Sequence, residues 1–220
     1  NGVLELTNNL IVVNDGSTDT TSSILKAYPN IQQVHFPENK GKGVALREGF
    51  KHAISLGYKF AITIDSDGQH FPNDIPHFIN ELEQNQAKDI LIIGARNMSH
   101  ESVPVKSSFG NKFSNFWFWV ETGIKLQDTQ SGFRLYPLNV LKKLNFYTTK
   151  FEFEIEVIVK TAWKDVEVKN IPIQVLYDES ERVSHFRPFK DFTRISILNT
   201  WLVFLTAIYY FPKRLLKIIK

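Results

Sequence analysis

Between residues 10 and 94, short β-branched runs alternate with stretches of helical period, and this alternation is the strongest constraint on the fold. Leu10–Val13 leads into helix-like residues 18–28, Ile31–His35 into 42–56, and Phe60–Ile64 into 73–85, before Ile90–Gly94 closes the series. Strands separated by helices rather than tight turns predict an α/β architecture, with a mainly parallel sheet flanked by helices. In the second helix Leu46, Gly49, Phe50, Ala53 and Ile54 fall on one side, the stripe that packs on a sheet.

Past Met98 the alternation loosens. An aromatic cluster (Phe113, Phe116, Trp117, Phe118, Trp119) reads as core packing, and LQDTQSGFRLYP at 126–137 reads as a loop. Residues 151–162 predict a helix, and Val166–Val175 a strand interrupted by Pro172, which places it near a sheet edge. With 220 residues, 43% of them hydrophobic, the chain fits one large domain of roughly 150 to 250 residues with a real core. The lack of cysteine excludes disulfides, thiolate chemistry and cysteine zinc sites, and is compatible with a reducing compartment.

The formal charge of +3 is unevenly spread. Residues 181–220 carry eight basic residues against Glu181 and Asp191, so the rest of the chain is net negative. Within this basic tail, Ile195–Phe211 runs seventeen residues without a charge, close to the lower limit for crossing a bilayer, which needs about 20. Lys213, Lys217 and Lys220 then recur opposite Leu215, Leu216, Ile218 and Ile219, as in an interfacial amphipathic helix. The expectation is a domain over residues 1–180 and a membrane-associating segment over 181–220; the alternative is a terminal helix packed on the domain. No RNP-like aromatic pattern, zinc-finger spacing or recognition helix is present, which argues against nucleic acid as the anionic partner.

Three polar stretches can carry chemistry. NDGSTDTT at 14–21 ends one predicted strand, with Ser17, Thr18 and Asp19 suited to capping a helix. In FAITIDSDGQHFPND at 60–74 an apolar run ends at Asp65, with Asp67 and Gln69 following and Gly68 allowing an unusual turn. A hard cation such as Mg²⁺ or Mn²⁺ would relieve the repulsion between the two carboxylates, and Gln69 could add a neutral oxygen. On spacing alone, a solvated turn suits the pair equally well. Lys40 and Lys42, on a glycine-rich turn before a helix, either face phosphate or lie on a solvated turn. His35, His52, His77 and His100 lack metal-like spacing, whereas His70 and His185 lie close to candidate site stretches.

Together NDGSTDTT, NKGKGVALREGF (39–50), DSDGQH (65–70), IIGAR (92–96), DTQSGFR (128–134) and the two segments across 151–173, in this order, resemble the family 2 glycosyltransferases. These have the GT-A fold, which is Rossmann-like. Within the family the likeness is greatest to dolichyl-phosphate mannosyltransferases and glucosyltransferases and to bacterial polyprenyl-phosphate glycosyltransferases, and it covers most of residues 10–175.

The resemblance implies inverting transfer of a sugar from a nucleotide diphosphate sugar, of GDP-mannose or UDP-glucose type, to a polyprenyl phosphate at the cytoplasmic face of a membrane. It implies Asp65, Asp67 and Gln69 at a Mg²⁺ or Mn²⁺ site, Ser66 along the nucleotide, and Asp15 beside the base or ribose, with Asn14 where many relatives have a second Asp. Arg96 would contact the acceptor phosphate and Arg134 is a second candidate, although an internal ion pair suits it equally. Asp128 and Gln130 would line the sugar and acceptor side. Asp128 or Glu154 could act as a base on a hydroxyl acceptor, but a phosphate acceptor is already ionised and needs little such help. Arg187, in the basic stretch 182–194, would close over the diphosphate or dock the lipid headgroup, unless that stretch is a plain basic collar.

Relatives begin with a further strand and a Pro-x-Tyr-Asn-Glu-like segment about thirty residues before the NDGS element. Only Asn1–Asn9 precede the first strand read here, so the family's first strand and most of its first helix are expected to be missing from this sequence, leaving neighbouring strand edges unpaired. Alternatives are a family 2 enzyme acting on a saccharide or glycolipid hydroxyl, and an inactive nucleotide- or lipid-binding module. The absence of a Q-x-x-R-W motif argues against processive polysaccharide synthases.

Overall fold

The computed structural model describes residues 2–86, 88–97, 105–176 and 188–218. In chain order these form β1 (Ile11–Asn14), α1 (Thr21–Lys26), β2 (Gln32–His35), α2 (Lys42–Ser55), β3 (Phe60–Thr63), α3 (Ile75–Gln84), β4 (Ile90–Ala95) and α4 (Val105–Thr122). Then follow β5 (Arg134–Pro137), α5 (Leu138–Leu141), α6 (Phe153–Ala162), β6 (Glu167–Pro172), α7 (Pro188–Leu205) and α8 (Phe211–Ile218). The predicted strands and helices up to Ala95 are all present, shifted by a residue or a few at their ends.

β1 and β2 pair in parallel, from Ile11 opposite Gln32 to Asn14 opposite His35. A second sheet has the order β3-β5-β4-β6. β4 and β6 are parallel, whereas β5 runs antiparallel to both β3 and β4, so this sheet is mixed. Residues 134–137, read from the sequence as the end of a loop, are therefore an internal strand. β6 is an edge strand, and Pro172 ends it, where a missing N–H costs the sheet nothing. β1 and β3 each pair on one side only. Helix α2 spans both sheets: Gly49 lies against Val13 of β1, and the Phe50 ring meets Tyr136 of β5 with centroids 4.8 Å apart.

The core explains why β4 is apolar without alternation. Leu91 and Ile93 join a cluster with Phe50 of α2, Phe118 of α4, Tyr136 of β5, and Phe153 and Val157 of α6. Ile90 and Ile92 join the opposite cluster with Ile75 and Phe78 of α3, Phe133 and Leu135. A strand covered on both faces has no solvated side to place polar residues on. The N-terminus of α2 approaches residues 149–153 so closely that a Cβ on Gly43 would lie 2.6 Å from Cβ of Phe153. Glycine there is what lets α2 seat against α6.

The C-terminal helix packs on the domain along one side only. Leu198 and Leu202 of α7 are buried in the same cluster as Tyr136 and Phe118, so α7 packs on the domain. Its other side is open, with Ile197, Trp201 and Phe204 exposed. A turn of π-helix at Thr206–Tyr210 follows, where Tyr210 stacks on Trp163 at 3.8 Å. The stretch Phe189–Lys213, 25 residues, is long and apolar enough to cross a membrane and is mostly uncovered. The aromatic cluster on α4 departs from the core expectation. Phe118 is buried, but Phe116 and Trp119 face outward, because consecutive aromatics on a helix cannot all lie on one face.

Glu121, at the end of α4, is 1% exposed, and neither carboxylate oxygen has a hydrogen-bond partner among the described residues. Its backbone carbonyl accepts bonds from Trp163 Nε1 (2.9 Å) and Thr206 Oγ1 (3.2 Å), which pin the residue where α4, α6 and the π turn meet. Burial pushes its carboxyl up to about 8, so the folded chain keeps a proton that the unfolded chain releases near 4.5. Stability from this group is present below the unfolded value and is lost as pH rises through about 8. We predict that Glu121→Gln removes this loss. Thermal melts from pH 5 to 9 should show the wild type falling relative to the variant, by at most about 1.4 kcal/mol per pH unit. Parallel melting curves would contradict the assignment.

Candidate active site

The polar stretches collect where strands β1, β3 and β4 end, the position at which open α/β sheets place ligands. At the end of β1, Asn14 is buried; its Oδ1 accepts from Ser17 N at 2.9 Å and its Nδ2 donates to Ser22 Oγ at 3.0 Å, shaping the NDGS turn. Asp15 accepts from the backbone N–H of Lys40 (2.7 Å) and of Gly41 (2.9 Å), tying this turn to the N-terminus of α2. α1 begins at Thr21 with Thr20 at its N-cap and no side-chain cap bond, so the expected capping by Ser17, Thr18 and Asp19 is not seen; Asp19 instead accepts from Thr21 N at 2.9 Å.

Beyond β3, Asp65 is partly buried and Ser66 and Asp67 are exposed. The turn is closed by Gly68 at φ +77° and by a bond from Gln69 N to Asp67 Oδ1 at 3.1 Å. Lys42, the first residue of α2, brings its ammonium to 3.0 Å from Asp65 Oδ1 and 3.2 Å from Glu154 Oε2 of α6. Burial opposes the Lys42 charge, but the carboxylates of Glu154 and Asp65 outweigh it and hold the lysine protonated well above its usual range. Burial likewise opposes the Asp65 charge, and Lys42, His70 and Arg134 overcome it, holding the carboxyl below its usual range. Gly132 closes the cradle from the far side. A Cβ there would lie 2.5 Å from Asp65 Oδ2 and 3.0 Å from Lys42 Nζ.

Beyond β4, Arg96 grips Asp128 through Nε (2.6 Å) and Nη2 (3.1 Å), a bidentate fork. Asp128 is fully buried and also accepts from the backbone N–H of Arg96, Gln130 and Ser131. A carboxylate committed to five donors holds the loop and the arginine; it does not present a lone pair to a reacting hydroxyl. Gln130 is exposed beside Gly110 of α4.

Arg134 sits elsewhere than on an acceptor phosphate. Its side chain is fully buried in β5, donating to the carbonyls of Ser131 (2.6 Å), Glu154 (2.7 Å) and Thr129 (3.0 Å), and to Tyr136 Oη (3.4 Å). The guanidinium organises the 129–132 loop from within. His70 lies against Phe133 with a buried Nδ1, and burial lowers its pKa. Arg187 lies outside the described residues, as do Arg182, His100 and His185.

The donor set around Asp65 fits a hard divalent ion. Asp65 and Asp67 can offer carboxylate oxygens and Gln69 an amide oxygen, and no group of three or more His, Cys, Asp or Glu is gathered to hold a metal among the described residues. Mg²⁺-type sites commonly take one or two carboxylates from the protein and complete their shell with phosphate oxygens and water.

Sequence reasoning missed Asn170, in β6. Its Oδ1 accepts from Gln127 N (2.7 Å) and Asp128 N (3.2 Å), and its Nδ2 donates to Ile93 O (3.0 Å) and Asp128 O (2.9 Å). The signal available was an amide between the core residues Val168 and Ile171. From the other side, Asn115 of α4 donates to Gln127 O at 2.7 Å and accepts from Thr129 N at 3.0 Å. We predict that Asn170→Ala leaves the fold intact but speeds hydrogen exchange at the Gln127 and Asp128 amides by tenfold or more. Unchanged exchange there would show that α4 alone holds the loop.

The Glycosyl transferase family 2 profile matches residues 3–144. A UDP-N-acetylglucosamine–dolichyl-phosphate N-acetylglucosaminyltransferase of Methanococcus voltae is 28% identical over 215 residues, covering 87% of this chain and 85% of that protein. A dolichyl-phosphate beta-glucosyltransferase of Saccharomyces cerevisiae is 28% identical over 188 residues, covering 74% of this chain and 55% of that longer protein. Among solved structures, glucosyl-3-phosphoglycerate synthase from Mycobacterium tuberculosis, in complex with Mn²⁺, UDP-glucose and glycerol 3-phosphate, superposes with a TM-score of 0.58 at 19% identity, over 93% of this chain and 69% of that one. That likeness establishes the shared fold.

Proposed function

The chain belongs to glycosyl transferase family 2, and from that premise we propose that it transfers a sugar from a nucleotide diphosphate sugar to a polyprenyl phosphate at a membrane surface. The observation that carries this reading is the state of the two carboxylates available as bases. Asp128 is consumed by Arg96 and three backbone donors, and Glu154 is paired with Lys42. A hydroxyl acceptor needs a base, whereas a phosphate acceptor arrives ionised. The named activities of the Methanococcus and Saccharomyces relatives support the same acceptor class.

In this reading Asp65, Asp67 and Gln69 hold a Mg²⁺ or Mn²⁺ ion, which when bound neutralises the diphosphate and stabilises its departure. Asp15 and Ser66 border the nucleotide, whose donor class is UDP-glucose or GDP-mannose. Arg96, kept in place by Asp128, is the cation assigned to the acceptor phosphate. Attack by a phosphate oxygen opposite the leaving diphosphate inverts the anomeric centre. Gln130 lines the acceptor side.

Membrane association is supported by the outward residues of α4 and α7. The helices pack together, with Phe113 and Phe192 rings 5.4 Å apart. Phe109, Phe116 and Trp119 on one, Ile197, Trp201 and Phe204 on the other, and Leu215 and Leu216 of α8 are all exposed. Lys125 and Lys213 lie over the rings of Trp119 and Tyr209, and aromatic and basic residues of this kind favour a headgroup interface. The cytoplasmic face is part of the same proposal, since the basic tail suits its anionic lipids.

Transfer assays with UDP-glucose, UDP-N-acetylglucosamine and GDP-mannose, with and without polyprenyl phosphate and Mn²⁺, test the function. We expect turnover only with lipid phosphate present, and at least a hundredfold loss in Asp67→Asn with an unchanged circular dichroism spectrum. Transfer to a saccharide hydroxyl instead would overturn the acceptor assignment. Cosedimentation with anionic vesicles should fall severalfold in the double variant Trp119→Ser, Trp201→Ser; undiminished binding would remove this surface from the membrane contact.

A further inference from the structure

The Lys42 ammonium already occupies the position of a cation on Asp65. It lies 3.0 Å and 3.1 Å from the two oxygens of that carboxylate, so it straddles both, and 3.2 Å from Glu154 Oε2. The lysine is confined there. Gly132 leaves no room for a side chain beside it, since a Cβ there would lie 3.0 Å from Lys42 Nζ, and the N-terminal turn of α2 is clamped by Asp15 and by residues 149–153 beside Gly41 and Gly43. Asp67, by contrast, is exposed and no ion pair involves it among those the described residues form. The two carboxylates of one motif are therefore unequal, with one neutralised from within and the other open.

We propose that Lys42 is a resident counter-cation that competes with the divalent ion for Asp65, and that Glu154 is the seat that receives the ammonium when the metal enters. This rests on the metal site of the proposed function and adds the mechanism that sets its occupancy. Without an ion, Lys42 prevents the partly buried Asp65 from facing Asp67 as a second uncompensated charge. When an ion arrives with its diphosphate, the phosphates supply new negative charge, and Lys42 can stay close, shared between Glu154 and the phosphate oxygens. Metal alone must displace the ammonium, whereas metal with a diphosphate need only shift it. The site therefore favours the metal–diphosphate complex over the free ion, so the ion and the donor load together.

The test is Mn²⁺ binding to the full chain, read from the electron paramagnetic resonance signal of free Mn²⁺, with and without UDP. Removing the competing charge in Lys42→Met should tighten Mn²⁺ binding without nucleotide by roughly tenfold and reduce the enhancement produced by UDP. Glu154→Gln leaves the ammonium to Asp65 alone and should weaken Mn²⁺ binding by about threefold. Lys42→Arg keeps the charge and should match the wild type more closely than Lys42→Met does. Structural damage predicts weakening in every variant, so the opposite signs separate competition from misfolding. Equal or weaker Mn²⁺ binding by Lys42→Met, in a wild type whose binding is lost in Asp67→Asn, would overturn the counter-cation role and leave the metal site standing. No Mn²⁺ binding by the wild type even with UDP would overturn the metal site and this role with it.

Discussion

The buried guanidinium of Arg134 is the interaction on which the site depends. It lies in β5 with no exposed surface, bonded to Tyr136 of the core cluster that holds Phe50 and Phe153. A charge removed from water is costly unless its donors are met. Here they are met by the carbonyls of Thr129, Ser131 and Glu154 and by Tyr136 Oη, with the Glu154 carboxylate 4.0 Å away. Because those carbonyls belong to a loop and to the first turn of α6, the arginine can be satisfied only when loop, strand and helix are assembled together. Gly132 is thereby fixed against Asp65, and Glu154 is aimed at Lys42.

From that centre the charges form a chain in which each cation has an assigned carboxylate. Arg96 takes Asp128, and Lys42 is divided between Asp65 and Glu154. Arg134 stands behind Glu154 and lends its field to Asp65. Such pairing fixes geometry more than it adds stability, since the desolvation cost of partly buried ions offsets much of their attraction. The result is a site whose acidic residues are held in chosen positions, with Asp67 facing solvent.

The strand and helix alternation through Ala95 was legible because each element satisfies a local rule: β-branched runs for strands and a one-sided apolar stripe for α2. β5 was not, because the stretch Arg134-Leu135-Tyr136-Pro137 follows a polar loop and opens with an arginine, and its burial depends on carbonyls supplied from Thr129, Ser131 and, twenty residues downstream, Glu154. The family resemblance brought Asp65, Asp67, Arg96 and Asp128 to notice, but not that Asp128 and Arg96 are bonded to each other, since 32 residues separate them. Nor could spacing tell which aromatics of α4 face inward. Helical period puts Phe118 and Phe116 on different sides without saying which side meets the core; that is decided by where α6 and α7 pack. Asn170 carried the least signal, because a buried amide is explained only by the backbone groups it meets.

Helix α4 joins the two halves of the proposed function in one rigid element. Its Ser114 and Asn115 lie within hydrogen-bond reach of Thr129, and Asn115 also holds the carbonyl of Gln127, so one side of the helix forms a wall of the loop that carries Asp128 and Gln130. The adjoining face presents Phe116 and Trp119 to the exterior, and Phe113 meets Phe192 of α7. α7 is in turn anchored by Leu198 and Leu202 in the cluster that contains Tyr136, beside Arg134. An acceptor with a lipid tail and a phosphate head needs an apolar surface and an anion-binding loop at a fixed separation, because entropy lost in searching between two mobile parts would weaken binding. Carrying the exposed apolar side chains and the brace of the Asp128 loop on adjoining faces of one helix, packed against the core that holds the site, fixes their separation.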